Sequence, residues 1–103
     1  LNWINENNST VKGVVCVDTS PVMDKVWAQR GGLGWIGKHT NLISRDLGSW
    51  LFLGELILDL ELEYDTPFEE DLCGSCIACI ESCPTQALDE YKIDAGKCIS
   101  YLT

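Results

Sequence analysis

Four of the six cysteines fall within eleven residues, as Cys73-x2-Cys76-x2-Cys79-x3-Cys83-Pro84. A disulfide framework fits that crowding badly, because a bridge holds its Cα atoms several ångströms apart at a fixed torsion and stabilises most when it closes a long loop. Metal ligation fits it well. Three thiolates at intervals of three residues can wrap the irons of a cuboidal cluster, while the cysteine before the proline points to a second cluster. Structural zinc is the alternative, but it usually takes two separated pairs of ligands around one tetrahedral ion, which is not this pattern. Cys98, fifteen residues after Cys83, is the natural next ligand of the second cluster. Two four-iron clusters take four thiolates each, and Cys73, Cys76, Cys79, Cys83 and Cys98 supply only five. Three further ligands are therefore expected beyond Thr103, in a longer protein of which this chain is a piece, and the start at Leu1 rather than Met agrees with that. Cys16, in the apolar run Val14-Val15-Cys16-Val17, reads as a small buried hydrophobe.

Outside the cysteines the most interesting residue is Asp18, a carboxyl expected in a partly buried position at the end of an apolar strand and just before a helix. Ligands commonly bind there, and an acid so placed can donate a proton. The plainer reading of the same spacing is that Asp18 caps the helix that begins at Pro21. Lys38-His39 could meet a phosphate or a carboxamide, or be a solvated turn. The glycine run Gly31 to Gly37 lacks both the Lys-Ser/Thr ending of a phosphate loop and the dinucleotide-binding order, so its expected role is tight packing.

These groups need elements to hold them. Val11 to Val17 is β-branched and apolar enough for a mostly buried strand ending at Asp18. Ser20 as N-cap and Pro21 in the first helical position predict a helix over Val22 to Arg30, ended by Gly31-Gly32. Asn41 to Ser44 and Ser49 to Ile57 read as a hairpin whose second strand is apolar enough for a sheet covered on both faces. Leu58 to Glu63 alternates, as a half-buried edge strand would. Trp27, Trp35 and Trp50 are expected in the core. Tyr64 to Leu72, with Pro67 and the acids Asp65, Glu69, Glu70 and Asp71, marks a boundary between a unit at 1–68 and a second at 69–103. In the second unit the apolar residues are too few to hold short segments together, so the clusters must supply the stability.

Composition narrows the rest. With 46% hydrophobic and 22% charged residues, 103 residues can bury a small core. No stretch approaches the roughly 18 apolar residues of a membrane span. Seven Lys+Arg against 16 Asp+Glu, a net charge of −9, is the wrong sign for a surface that neutralises phosphates. The acids Asp59, Glu61, Glu63, Glu69, Glu70 and Asp71 read most simply as a solvated face.

Six stretches, Val17-Asp18-Thr19-Ser20-Pro21-Val22, Gly32-Leu33-Gly34-Trp35-Ile36-Gly37-Lys38, Gly48-Ser49-Trp50, Phe52-Leu53-Gly54-Glu55, the cysteine motif with Thr85, and Cys98-Ile99-Ser100-Tyr101-Leu102-Thr103, resemble in this order the epoxyqueuosine reductase family. The resemblance runs through nearly the whole chain from Val11. It implies a fold of class α+β, with the end of a covered α/β sheet from a cobalamin-binding domain followed by the first half of a ferredoxin-like domain for two [4Fe-4S] clusters. It also implies a cobalamin-dependent, cytoplasmic enzyme that makes queuosine from epoxyqueuosine at the wobble position of tRNA. Electrons would pass through the clusters to cobalt, the cobalt would attack an epoxide carbon, and Asp18 would protonate the oxygen that leaves as water. Asp18, Lys38, Asn41 and Phe52 are the implied cobalamin contacts, with His39 standing where the family pattern has Asn. The implied partners are the tRNA anticodon region and an electron donor protein, with no membrane, for a monomer; the piece alone is expected to be inactive. Two other readings stay open on the residues alone: a ferredoxin-type electron-transfer module and a cobalamin-dependent reductive dehalogenase.

Overall fold

A computed structural model describes residues 2–7, 11–18 and 20–102. Thr19 and Thr103 of the resembling stretches lie outside the described residues. A short helix α1, Asn2–Asn7, comes first. The β-branched run then forms β1, Gly13–Val17, where branched side chains suit a pleated backbone. It pairs antiparallel with β4, Gly54–Leu58, from Gly13 opposite Leu58 to Val17 opposite Gly54. One more step closes the ladder: the Asp59 amide donates to the Lys12 carbonyl at 3.0 Å, and the Lys12 amide to the Asp59 carboxylate at 2.6 Å.

Three expectations are corrected here. The alternating run Leu58 to Glu63 is no strand beyond Leu58, because among the described residues no partner strand continues past Lys12. Its leucines instead line an apolar groove with Trp27 and Leu56. The hairpin of 41–44 with 49–57 does not form either. Ser44 and Gly48 close a turn, β3 (Leu42–Ile43) pairs back onto β2 (Trp35–Ile36), and 54–58 takes the longer ladder offered by β1. Nor is the β1–β4 sheet covered on both faces among the described residues, since Val14, Val15 and Ile57 are each more than half exposed.

The helix is corrected as well. α2 spans Asp24–Arg30, its N-cap is Met23, and no side chain caps it. The amides of Val22 and Asp24 bond the carbonyls of Ser20 and Val22, two residues back, so tight γ-turns delay the first helical turn past Pro21. Asp24 in the first turn and Arg30 in the last complement the helix dipole. The Arg30 guanidinium lies 5.4 Å over the Trp27 ring, which is a surface residue, as is the almost fully exposed Trp50. Only Trp35 of those three tryptophans is in the core, with Val11, Cys16, Ala28 and Leu42. The glycine run packs as expected. A side chain at Gly34 would collide with the Ile43 carbonyl, so only glycine lets β2 and β3 approach here.

The cysteine-rich part is built of short pieces: α3 (Ala78–Ser82), the hairpin of β5 (Leu88–Asp89) with β6 (Lys92–Ile93), and α4 (Ile99–Leu102). Ala87 is its one buried residue among those described. The result is a small mixed helix and sheet fold in which no large side chain is fully enclosed among the described residues.

Candidate functional site

The cysteines are carried by turns whose backbone is tied locally. The Asp71 carboxylate accepts the Cys73 amide at 3.0 Å, and the Cys76 amide donates to the Cys73 carbonyl at 2.9 Å. Gly74, between them, sits at φ 53°, the left-handed region that costs glycine least. No two of the six cysteines are joined by a disulfide. Cys79, Cys83 and Cys98 line one cavity of about 290 Å³, with His39, Asn41 and Ile93 also in its wall. The Ala87 amide points at Cys83 Sγ at 3.4 Å, with the Thr85 hydroxyl at 3.7 Å. These donors, Ala87 first, hold the Cys83 thiol below its ordinary value, and the backbone and hydroxyl of Ser100 do the same for Cys98. Groups that favour thiolate are what a metal-binding sulfur needs. Among the described residues no three His, Cys, Asp or Glu side chains converge to hold a single ion. A cluster asks for less convergence, because each of its irons takes its own sulfur.

Burial, and then the charge of Lys25, push His39 below its usual value, which favours the neutral imidazole at the cavity wall. Its Nδ1 accepts the Asn41 amide at 3.2 Å.

A seam joins the cysteine turn to β2. The Trp35 indole N–H donates to Cys73 Sγ at 3.4 Å, and its ring stacks on Phe68 with centroids 5.8 Å apart. Lys38, only 5% exposed, donates from Nζ to the Gly74 carbonyl at 2.8 Å and pairs with Glu90 at 3.4 Å. Across the same seam the Tyr91 amide donates to the Lys38 carbonyl, and the Tyr91 hydroxyl bonds the Asp71 carboxylate.

Asp18 sits at φ 56° and is exposed rather than partly buried. Asp is one of the few residues that take this backbone region readily. With Asp24, Lys25 and Phe52 it lines a second cavity of about 460 Å³. Phe52 is fully exposed. Beside Asp24, on β4, stands Glu55. A hydrogen bond that protonated Glu55 donates to the Asp24 carboxylate, then burial, then the Asp24 charge raise the Glu55 carboxyl above its ordinary value. Its Oε2 has no solvent access and no donor, which favours the protonated form.

The structure thus brings Asp18 and Phe52 together, and Asn41 together with three of the cysteines, while Lys38 belongs to the seam beneath Cys73. Sequence reasoning missed two contributors. Glu55 had a signal, being a lone acid inside the apolar run Leu53 to Leu58, where a charge needs a partner. Trp35 had none, because the sulfur it meets is 38 residues away.

Residues 72–103 match a family described as a 4Fe-4S double cluster binding domain. The chain is 57% identical to an epoxyqueuosine reductase of Leadbetterella byssophila, over 90% of this chain and 30% of that protein. It is 53% identical to one of Cellulophaga algicola, over 98% of this chain and 33% of that protein. Solved structures agree. Epoxyqueuosine reductase from Streptococcus thermophilus superposes with a TM-score of 0.88 at 36% identity, over 97% of this chain and 27% of that one. An epoxyqueuosine reductase with an epoxyqueuosine-modified tRNA stem loop gives 0.87 at 32% identity, over 98% and 27%. The Bacillus subtilis enzyme, with an aspartate catalytic loop swung out of its active site, gives 0.85 at 29% identity, over 98% and 26%. The chain spans about a third of the length of the curated relatives it matches. In sequence and in fold the chain is similar, over nearly its whole length, to one part of the epoxyqueuosine reductases.

Proposed function

We propose that the protein to which this chain belongs reduces epoxyqueuosine to queuosine in tRNA, with Asp18 as proton donor. One observation carries the reading: similarity is continuous over 98% of the chain, so it includes both the Asp18 cavity and the cysteine turns. A ferredoxin-type module would account for the second alone. Cys73, Cys76 and Cys79 would hold one [4Fe-4S] cluster, with Cys83 and Cys98 on the other; the thiolate-favouring donors around Cys83 and Cys98 support that. For cobalamin, the fully exposed ring of Phe52 beside Asp18 is the kind of apolar surface a flat ring covers. Asn41 is the third contact, and Lys38 contributes through the backbone leading to it, its ammonium being held by Gly74 and Glu90. When bound, the clusters supply a one-electron relay and the corrin the reducing centre.

The chain's own part is proton handling. Loss of the epoxide oxygen as water takes two electrons and two protons, and the Asp18 carboxyl would place one of those protons on the departing oxygen. The aspartate loop seen swung out in the Bacillus subtilis relative supports a mobile Asp18, exposed here on a left-handed backbone. Residues 1–68 would close the cobalamin-binding unit and 69–103 open the cluster unit. The tRNA anticodon region would be the substrate, an electron donor protein the partner, and the cytoplasm the site of action of a monomer. The modified-tRNA stem loop held by one relative supports that substrate, and among the described residues no helix is long and apolar enough to cross a membrane.

The test is the full-length protein reconstituted without oxygen with iron, sulfide and cobalamin, then given tRNA carrying epoxyqueuosine and a low-potential reductant. Nucleoside analysis should show queuosine. Intact clusters and bound corrin without any queuosine would overturn the proposal.

A further inference from the structure

We infer that Trp35 sets the reduction potential of the cluster held through Cys73, by fixing an indole N–H on that ligand's sulfur. The inference rests on the cluster assignment above and goes beyond it.

The donor is held in place from three sides. Trp35 is 8% exposed, its ring stacks on Phe68, and its backbone is paired with β3. A buried indole N–H is a donor only and needs an acceptor. Here the acceptor is Cys73 Sγ, at 3.4 Å. When one electron enters an iron–sulfur cluster, from a low-potential one-electron donor, no bond forms or breaks, and part of the added negative charge appears on the ligand sulfurs. An N–H already aimed at one of them stabilises the reduced state more than the oxidised one and raises the potential. Lys38 adds to this. Three residues further along, its buried ammonium binds the Gly74 carbonyl at 2.8 Å, which places a positive charge beneath the same turn. Trp35 is therefore a positioning residue for the relay. It touches the ligand, from the half of the chain that also carries Asp18.

The experiment is a redox titration of the full-length, reconstituted protein with dithionite, followed by the electron paramagnetic resonance of the reduced clusters. Trp35→Phe keeps the ring and its stacking on Phe68 and removes only the N–H. About a tenfold loss in the equilibrium for reduction is expected, a fall of about 59 mV for a one-electron couple, in one cluster only. Wild-type protein grown with ¹⁵N-labelled tryptophan provides a second readout, because the reduced cluster should show coupling to an indole nitrogen. An unchanged or raised potential in Trp35→Phe overturns the inference and leaves the cluster assignment standing. If the variant fails to take up iron, the absence of nitrogen coupling in the wild type overturns it in the same way. Wild-type protein with no four-iron signal at all would overturn the assignment and the inference with it.

Discussion

Between residues 11 and 63, a ladder of five backbone pairs and two tight turns carries Asp18 to an exposed position, and among the described residues that ladder and those turns are held by backbone hydrogen bonds and not by the carboxyl. Between residues 71 and 102 the order is reversed. The elements are two to five residues long, Ala87 is the one described residue buried there, and the sulfurs accept hydrogen bonds from the backbone that surrounds them. In the first region structure precedes the proposed proton donor, whereas in the second the proposed cluster ligands are a large part of the structure. A substitution at Asp18 should therefore cost activity without stability, and loss of metal should cost the cysteine region its order.

The largest effect expected is on turnover. Asp18→Asn in the full-length, reconstituted protein keeps the side chain's size and its tolerance of φ 56°. General-acid catalysis typically contributes about 10²–10⁴-fold, so kcat for epoxyqueuosine reduction should fall by that much while the cluster and corrin spectra stay normal. An active Asp18→Asn enzyme would leave Asp18 a turn residue only. Next comes removal of iron with a chelator. Metal–thiolate bonding in a segment with so few buried side chains is folding free energy, so amide exchange should speed up across residues 72–102. The amides paired between β1 and β4 should keep their protection. Equal loss of protection in both regions would break the comparison.

How much of this could be read from the sequence follows from the range of each interaction. The cysteine spacing pointed to a cluster-binding domain, the description that residues 72–103 match, because Cys73, Cys76 and Cys79 fall close together in one short segment. β1 was legible from its branched side chains and Cys16 as a buried residue from the run around it. The start of α2 was not, because γ-turns at Ser20 and Val22 outcompeted a favourable Ser-Pro signal, a contest that composition does not display. The partner of β4 was misread as residues 41–44, since strand pairing depends on which distant edge offers the longest ladder. The seam was invisible for the same reason. Trp35 with Cys73, Lys38 with Gly74 and Gln29 with Phe68 are all pairs more than 35 residues apart.

A smaller effect sharpens the contrast through pH, because the two regions carry carboxyls shifted in opposite directions. Glu55 is raised above its ordinary 4.5 by Asp24, so the folded state binds that proton more tightly than the unfolded one. Its contribution is complete below 4.5 and is lost as pH rises through the folded value. Asp71 is lowered from 3.8, first by the Tyr91 hydroxyl and then by the Cys73 amide, so its contribution is complete above 3.8 and lost as pH falls through the folded value. Glu55→Gln stays neutral throughout. Its melting temperature relative to wild type should rise as pH climbs above 4.5, whereas that of Asp71→Asn should fall as pH climbs towards 3.8. The same Asp71 contact pushes the Tyr91 phenol up to about 12, and phenolate absorbance in Asp71→Asn should return towards 10. Parallel pH profiles for the two carboxyl variants would show that the regions do not differ in this respect.

The smallest effect expected is at Glu90, and it decides what holds the seam together. The Lys38 ammonium is buried and has two partners, the Gly74 carbonyl at 2.8 Å and the Glu90 carboxylate at 3.4 Å. Glu90 is 57% exposed, so water screens its attraction, and exposed pairs are typically worth about 0.2–1 kcal/mol. Glu90→Gln should therefore destabilise the full-length protein by less than about 1 kcal/mol in denaturant unfolding. Lys38→Met should cost more, since it strips the Gly74 carbonyl of its donor in the turn that carries Cys73. Were Glu90→Gln to cost about 3 kcal/mol or more, the ammonium would be behaving as a buried charge left without compensation. The carboxylate, and not the Gly74 carbonyl, would then be what permits a lysine to lie under the cysteine turn.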